Sequence, residues 1–445
     1  MAALISLSQG VKRVRSGELK PSSWAAECLE IIKAYDTDLK AWAFVDADEV
    51  MRRAKELDAQ DWSNHKPNPS LAGAPIGVKD IFNTVDHPNS MGSPTRHGYW
   101  PGNDARVVTA AKFVGAQIIG KTTTAEFAVH TAPETVNPWS PNHIAGTSST
   151  GSAVAVATGM APAALATQSA GSIARPASYN GVVGFKPSFG MIPRTGVLKT
   201  CDTFDTIGWM TRNIEDALLL LDALRIRGRN YPIVEAGVTK YSAAYSNKKD
   251  YVLGKLKAPG FDTISDDSRN KWDELALQFS NKPEISISDV DWQAFLSDAH
   301  EVHQTIYDKS LSYYFRKELS DVQFISPIFQ EIVERSRAIS SDMYFSALYE
   351  QENLSAKVSD AFGENDFLFL PTTSGEAPVL EAGELKDSSL IWTLLGFPMV
   401  TVPLLKGANG LPVGMTFVGR KYCDYELLKF VGQHVMTGSS SAIKP

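Results

Sequence analysis

Between Gly146 and Ser178 the chain reads GTSSTGSAVAVATGMAPAALATQSAGSIARPAS, which holds no acid and a single base, Arg175. So many hydroxyls beside so much small-residue backbone could serve three chemistries. Glycine-rich turns that open helices present backbone N–H groups to phosphate. The run nevertheless lacks both the Lys-Ser/Thr ending of a P-loop and the spacing of a dinucleotide fingerprint. A serine nucleophile is the second option, but no G-x-S-x-G elbow occurs anywhere. His300 and His303 in HEVH stand three apart where a zinc-protease pair stands four apart, so they read as an ordinary helix face. SNKK at 246–249 matches a bare S-x-x-K, yet it lies in a polar connector without S-D-N or K-T-G companions and reads as solvated charge.

The third option turns on Lys79 in GAPIGVKDIFNT, a lysine set in an apolar strand context. Desolvation disfavours the ammonium form and lowers its pKa. A neutral amine can then take a proton from a serine hydroxyl, the task histidine performs in the commoner triad. The alternative is that Lys79 reaches the surface or pairs with Asp80. From these residues alone both stay open.

The surrounding elements are those of an α/β protein. In KPSSWAAECLEIIKAYD, Ser22 or Ser23 can cap a helix with Trp24, Cys28, Ile31 and Tyr35 on one stripe. LKAWAFVDADEVMRRAKELDAQ follows as a short strand and a second helix, and NHKPNPSLAGAP as a loop. APIGVKDIF, AQIIG and ALATQ read as buried strands, with SAVAVATGM and IEDALLLLDAL as buried helices. Such alternation argues for a mixed or parallel sheet covered on both faces. DFLFLPT, FPMVTVPLL and LPVGMTFVG resume the strand pattern, before a last helix near 424–436. The expected organisation is one large domain: a helical region over 1–73, a core over 74–224, a helical insertion over 225–360, and a return to the sheet over 361–445.

Composition narrows the classes. With 43% hydrophobic and 21% charged residues over 445 positions, the chain can bury a large core. A formal charge of −7 argues against a nucleic-acid surface. Cys28, Cys201 and Cys423 lie far apart and are odd in number, which fits buried thiols in a reducing compartment. The start, MAALISLSQGVKRVRSG, puts its bases after a short apolar patch, the reverse of a secretory signal. No apolar run approaches the roughly eighteen residues that span a bilayer. A cytoplasmic protein without a membrane partner is the expectation.

GVKDIF, GTSSTGSAVAVATG, ATQSAGSIARPASYNGVVGFKPS and TFDTIGWMTR, in this order and spacing, resemble the amidase signature family. The resemblance runs from SGEL near the start to GFPMVTVPLL and GLPVGMTFVGR near the end, and is weakest across 225–360. It implies a single α/β domain with a central mixed sheet, and amide hydrolysis by a Ser–Ser–Lys triad. The matching positions are Ser172 as nucleophile forming an acyl-enzyme, Ser148 (after a cis peptide bond in that family) as proton relay, and Lys79 as base. Backbone N–H groups of Ser169, Ala170, Gly171 and Ser172 match the family's oxyanion hole. Thr147, with Gly146, belongs to the loop that holds Ser148. Ser149 and Ser152 have helix capping as a reading at least as good as catalysis. Asp205 matches a structural position.

The common family form reads T-D-T-G-G-S-I-R. Here Gln168 replaces the acid, Ala174 holds the usual arginine position, and Arg175 comes one residue later. This resembles the malonamidase-like branch (T-Q-x-x-G-S-x-x-R-P), where the displaced arginine binds a substrate carboxylate. The resemblance therefore puts Arg175, with Thr147 and Gln168, in the substrate-binding set, with a salt bridge to a nearby acid as the alternative for Arg175. The implied activity is cleavage of a small, carboxylate-bearing amide to acid and ammonia or amine. No cofactor or metal is implied, and a homodimer is plausible by resemblance. The other functions carried are the glutaminase subunit of an amidotransferase, which generally keeps the D-T-G-G-S-I-R form, and a non-catalytic amidase-like binding subunit.

Overall fold

The computed structural model describes residues 4–64, 70–131, 133–228, 232–320, 325–438 and 440. Eleven strands form one sheet. They are β1 (Trp42–Phe44), β2 (Pro75–Lys79), β3 (Gln117–Thr122), β4 (Ala163–Gln168), β5 (Val183–Lys186), β6 (Thr206–Thr211), β7 (Tyr251–Lys257), β8 (Ile285–Asp291), β9 (Phe367–Pro371), β10 (Met399–Lys406) and β11 (Pro412–Gly419). Their order is β1-β3-β2-β4-β6-β5-β10-β11-β9-β7-β8. β2 runs parallel to β3 and β4, and β7 parallel to β8 and β9, while every other adjacent pair is antiparallel. This is the expected mixed sheet. Every residue of β2, β3, β4, β5, β6, β9 and β11 is buried, which requires cover on both faces and explains why β2, β3, β4, β9 and β11 read as short apolar runs.

Two local expectations change. The helix Pro21–Leu39 starts from Lys20 with Pro21 at its first position, and Ser22 donates to Asp58 instead of capping. Proline pre-sets the first helical φ and lacks a donor that would otherwise go unpaired. The stretch 225–360 is not wholly a helical insertion: it also supplies β7 and β8 at one end of the sheet. The mixed exposure of β8, an edge strand, leaves no clean alternation in the sequence to announce it.

The alanine-rich helix Thr150–Ala157 is buried along its length. A Cβ added at Gly151 would stand 2.3 Å from the Ala41 carbonyl oxygen and 2.4 Å from the Thr123 amide, so glycine permits backbone-to-backbone packing there. Cys28, Cys201 and Cys423 are free and buried. Among the described residues no helix is long and apolar enough to cross a membrane.

Candidate active site

β2 and β4 are parallel neighbours, so Lys79 at the end of β2 and the loop Ser169–Ser172 just after β4 emerge on the same edge of the sheet. Carboxyl ends of parallel strands are where open α/β sheets place ligands. The loop Gly146–Ser149 meets them there. Ser149 Oγ donates to the Thr167 carbonyl at 3.1 Å, and Gly146 packs on Pro176, where an added Cβ would stand 2.9 Å from Cα. Loop 146–149 thus touches the chain on both sides of Ser172. The Thr147–Ser148 peptide is cis.

Lys79 is fully buried and has no carboxylate partner among the described residues. Its Nζ donates to Ser148 Oγ at 2.7 Å, Ser149 Oγ at 3.0 Å and Thr167 Oγ1 at 3.1 Å. Burial lowers its pKa to about 7, against the weaker upward pull of Asp205. Asp80 faces elsewhere and pairs with Lys121 at 3.3 Å. Neither surface exposure nor an Asp80 pair therefore accounts for Lys79.

Ser148 is buried, whereas Ser172 is partly exposed. The loop holding Ser172 is tied down through its carbonyls. Ser169 O accepts from His303 Nε2 at 2.8 Å, Ala170 O from Thr393 Oγ1 at 2.8 Å, and Gly171 O from the Arg175 amide at 2.9 Å. Among the described residues the N–H groups of Ala170, Gly171 and Ser172 have no acceptor. The Ser169 side chain donates to Asp205 Oδ1 at 2.6 Å. Asp205 also receives the amides of Thr200 and Cys201 at 2.8 and 2.9 Å, a positioning role for the residue.

Two expected substrate contacts are corrected. Gln168 is fully buried and its amide is spent on the protein. Its Oε1 accepts from the amides of Ile173 and Ala174 at 2.8 and 3.0 Å, and its Nε2 donates to Thr393 Oγ1 at 2.8 Å. It caps the helix Ala174–Asn180 and cannot also face a substrate. Arg175 follows its alternative reading: Nε pairs with Asp387 Oδ2 at 2.5 Å and Nη1 with Glu384 Oε2 at 3.1 Å. Thr147 is buried beside the Glu384 carboxyl.

Other side chains at the site were not legible as such. Ser149 opens the helix Thr150–Ala157 but makes no side-chain cap, since Lys79 and Thr167 occupy its hydroxyl. Ser152 bonds Thr122 Oγ1 at 2.7 Å and the Leu165 carbonyl at 3.1 Å, also without capping. Thr167 joins the lysine shell from β4. His303 stacks on Phe204 with ring centroids 4.7 Å apart, and His300 Nε2 lies 3.1 Å from the Asp387 carbonyl oxygen. Burial lowers the His303 pKa to about 4, so the ring is neutral and its Nε2 carries the proton given to Ser169. The three-residue spacing of HEVH, which puts both rings on one helix face, was the available signal. SNKK at 246–249 is exposed, as expected of solvated charge. Among the described residues no group of three His, Cys, Asp or Glu could hold a metal ion.

Known proteins share this architecture. The family model described as amidase matches residues 24–428. The A-subunit of the glutamyl-tRNA(Gln) amidotransferase of Endomicrobium trichonymphae is 28% identical over 458 residues, covering 94% of this chain and 93% of that protein. A crystal structure of an amidase superposes with a TM-score of 0.83 at 26% identity, over 96% of this chain and 98% of that one. The native peptide amidase of Stenotrophomonas maltophilia, 23% identical, shares the fold with a TM-score of 0.81 over 98% of both chains. By its sequence and its fold, the chain belongs to the amidase family, enzymes that act on carbon–nitrogen bonds.

Proposed function

We propose that this protein hydrolyses a small amide through an acyl-enzyme on Ser172, with Ser148 relaying protons to Lys79. The carrying observation is the shell around Lys79, a buried amine ringed by three hydroxyls and no carboxylate among the described residues, with Ser148 Oγ at 2.7 Å. An amine so placed spends much of its time neutral at neutral pH. In that form the Ser148 hydroxyl donates to Nζ and its oxygen can accept the Ser172 proton. The freed Ser172 oxygen attacks the amide carbonyl, whose oxygen becomes an oxyanion.

The N–H groups of Ala170, Gly171 and Ser172, without an acceptor among the described residues, are the donors for that charge. One such donor is worth about 3 kcal/mol of barrier. On collapse the carbon–nitrogen bond breaks, and the leaving nitrogen takes the proton held by Lys79, through Ser148. Water then attacks the ester by the same relay, releasing the acid and restoring Ser172.

Ammonia release from malonamide, malonamate, L-glutamine and aryl amides tests this reading. Ser172→Ala and Lys79→Ala should each be folded and at least ~10³-fold slower. Full activity in Ser172→Ala would exclude it. The carboxylate-bearing substrate implied by the malonamidase-like resemblance loses support, because both acids beside Arg175 already occupy it. A glutaminase subunit is the second reading, favoured by the likeness to the Endomicrobium protein. Preference for L-glutamine within the same panel would select it.

A further inference from the structure

Arg175 reaches across the fold to two acids from the segment after β9, Glu384 and Asp387. A guanidinium grips a carboxylate two-pronged along either of two edges, Nε with Nη2 or Nη1 with Nη2. Asp387 takes Nε at 2.5 Å from the first edge, and Glu384 takes Nη1 at 3.1 Å from the second. Neither edge keeps both donors. Asp387 Oδ1 is used as well, accepting the Ser389 amide at 2.8 Å. Glu384 Oε1 is buried without a partner among the described residues.

The cluster borders the proposed reaction centre. A Cβ added at Gly171, the residue before Ser172, would lie 2.8 Å from Arg175 Nε and 2.9 Å from Cζ. On the other side the Glu384 carboxyl adjoins Thr147, next to Ser148. One cation and two acids leave no surplus positive charge for an incoming anion. His130 and His300 lie close enough to feel Arg175, but burial lowers the pKa of both, so neither adds a cation.

We propose that the Arg175–Glu384–Asp387 cluster is a specificity element that rejects carboxylate-bearing amides and admits uncharged ones. This rests on the reading of Ser172 as the nucleophile. Glu384 is the determining residue, because neutralising its carboxylate leaves Nη1 with only a neutral acceptor, which an incoming carboxylate displaces to take the Nη1–Nη2 edge.

Malonamide and malonamate are nearly isosteric and differ at one end by a neutral amide against a carboxylate. Their dissociation constants are measured by calorimetry on Ser172→Ala, alone and combined with Glu384→Gln. Malonamide is expected to bind at least tenfold more tightly to Ser172→Ala. Adding Glu384→Gln should bring that ratio to unity or invert it. Asp387→Asn replaces Glu384→Gln if the latter does not fold, and should move the ratio the same way. Equal or tighter malonamate binding to Ser172→Ala, a ratio that neither variant moves, or no binding of either compound overturns the proposal. Binding needs no turnover, so a persistent preference in a protein whose Ser172→Ala variant keeps full activity would sink the nucleophile assignment and leave the selectivity standing.

Discussion

His303 Nε2 lies 2.8 Å from the carbonyl oxygen of Ser169, so a helix of the 225–360 stretch grips the loop that carries Ser172. A carbonyl can only accept, so the ring must donate. Stacking on Phe204 fixes its plane.

His303→Ala should therefore lower kcat about tenfold to a hundredfold while leaving KM within a few-fold, because a loop misplaced by an ångström loses its attack geometry. His303→Gln, which keeps an N–H donor, should recover part of the loss. Steady-state kinetics on a neutral amide check this, and a fall in KM-governed binding alone would contradict it.

Activity should rise with pH, with Lys79 as the proposed base. Its folded pKa is about 7 against an ordinary 10.5, and the base works as the neutral amine, so kcat/KM should climb through about pH 7 and level off above. Between those two values the unfolded chain holds the extra proton, so stability should also rise with pH over that window. Lys79→Met should abolish turnover and flatten this part of the stability profile, as read by urea unfolding at several pH values.

Gly171→Ala drives a methyl into the Arg175 guanidinium, which two acids prevent from swinging away. The backbone must give instead, and with it the amides proposed to face the developing charge. Activity should fall about 10²-fold, with a stability loss of about 1–3 kcal/mol. Unchanged kcat would mean that these amides do not serve the reaction.

Gln168→Leu strands the amides of Ile173 and Ala174, whose acceptor is Gln168 Oε1. Each buried donor left unpaired costs about 1–3 kcal/mol. Gln168→Glu keeps both bonds and gives up the Nε2 donation to Thr393, so it should lose less than the leucine variant. Denaturant midpoints of the two variants test this order.

Much of the sheet was legible because its strands are buried on both faces and leave short, unbroken apolar runs such as ALATQ and FPMVTVPLL. β5 and β6 do not announce themselves as strands: VGFK and TIGWMT are short, and each contains a glycine that weakens the signal. β7 and β8 are hidden among helices, and only the pairing of β7 with β9, and of β8 with β7, shows that they extend the sheet. At the site, Lys79 and the hydroxyls of 147–149 stand out, since a lysine in an apolar strand and a hydroxyl run without charge are both costly to bury unused.

The sequence alone determined the chemistry on offer: a run of uncharged hydroxyls and a lysine in an apolar strand context, with the roles of nucleophile, relay and base supplied by the family resemblance. Those features follow from residue type and near neighbours. Tertiary structure alone decided that Arg175 is held by Glu384 and Asp387, that Gln168 faces inward, and that His303 supports the loop of Ser172. Each of the pairings of Arg175 and His303 joins positions more than a hundred residues apart, and the fate of a charge or a donor depends on what the fold sets against it.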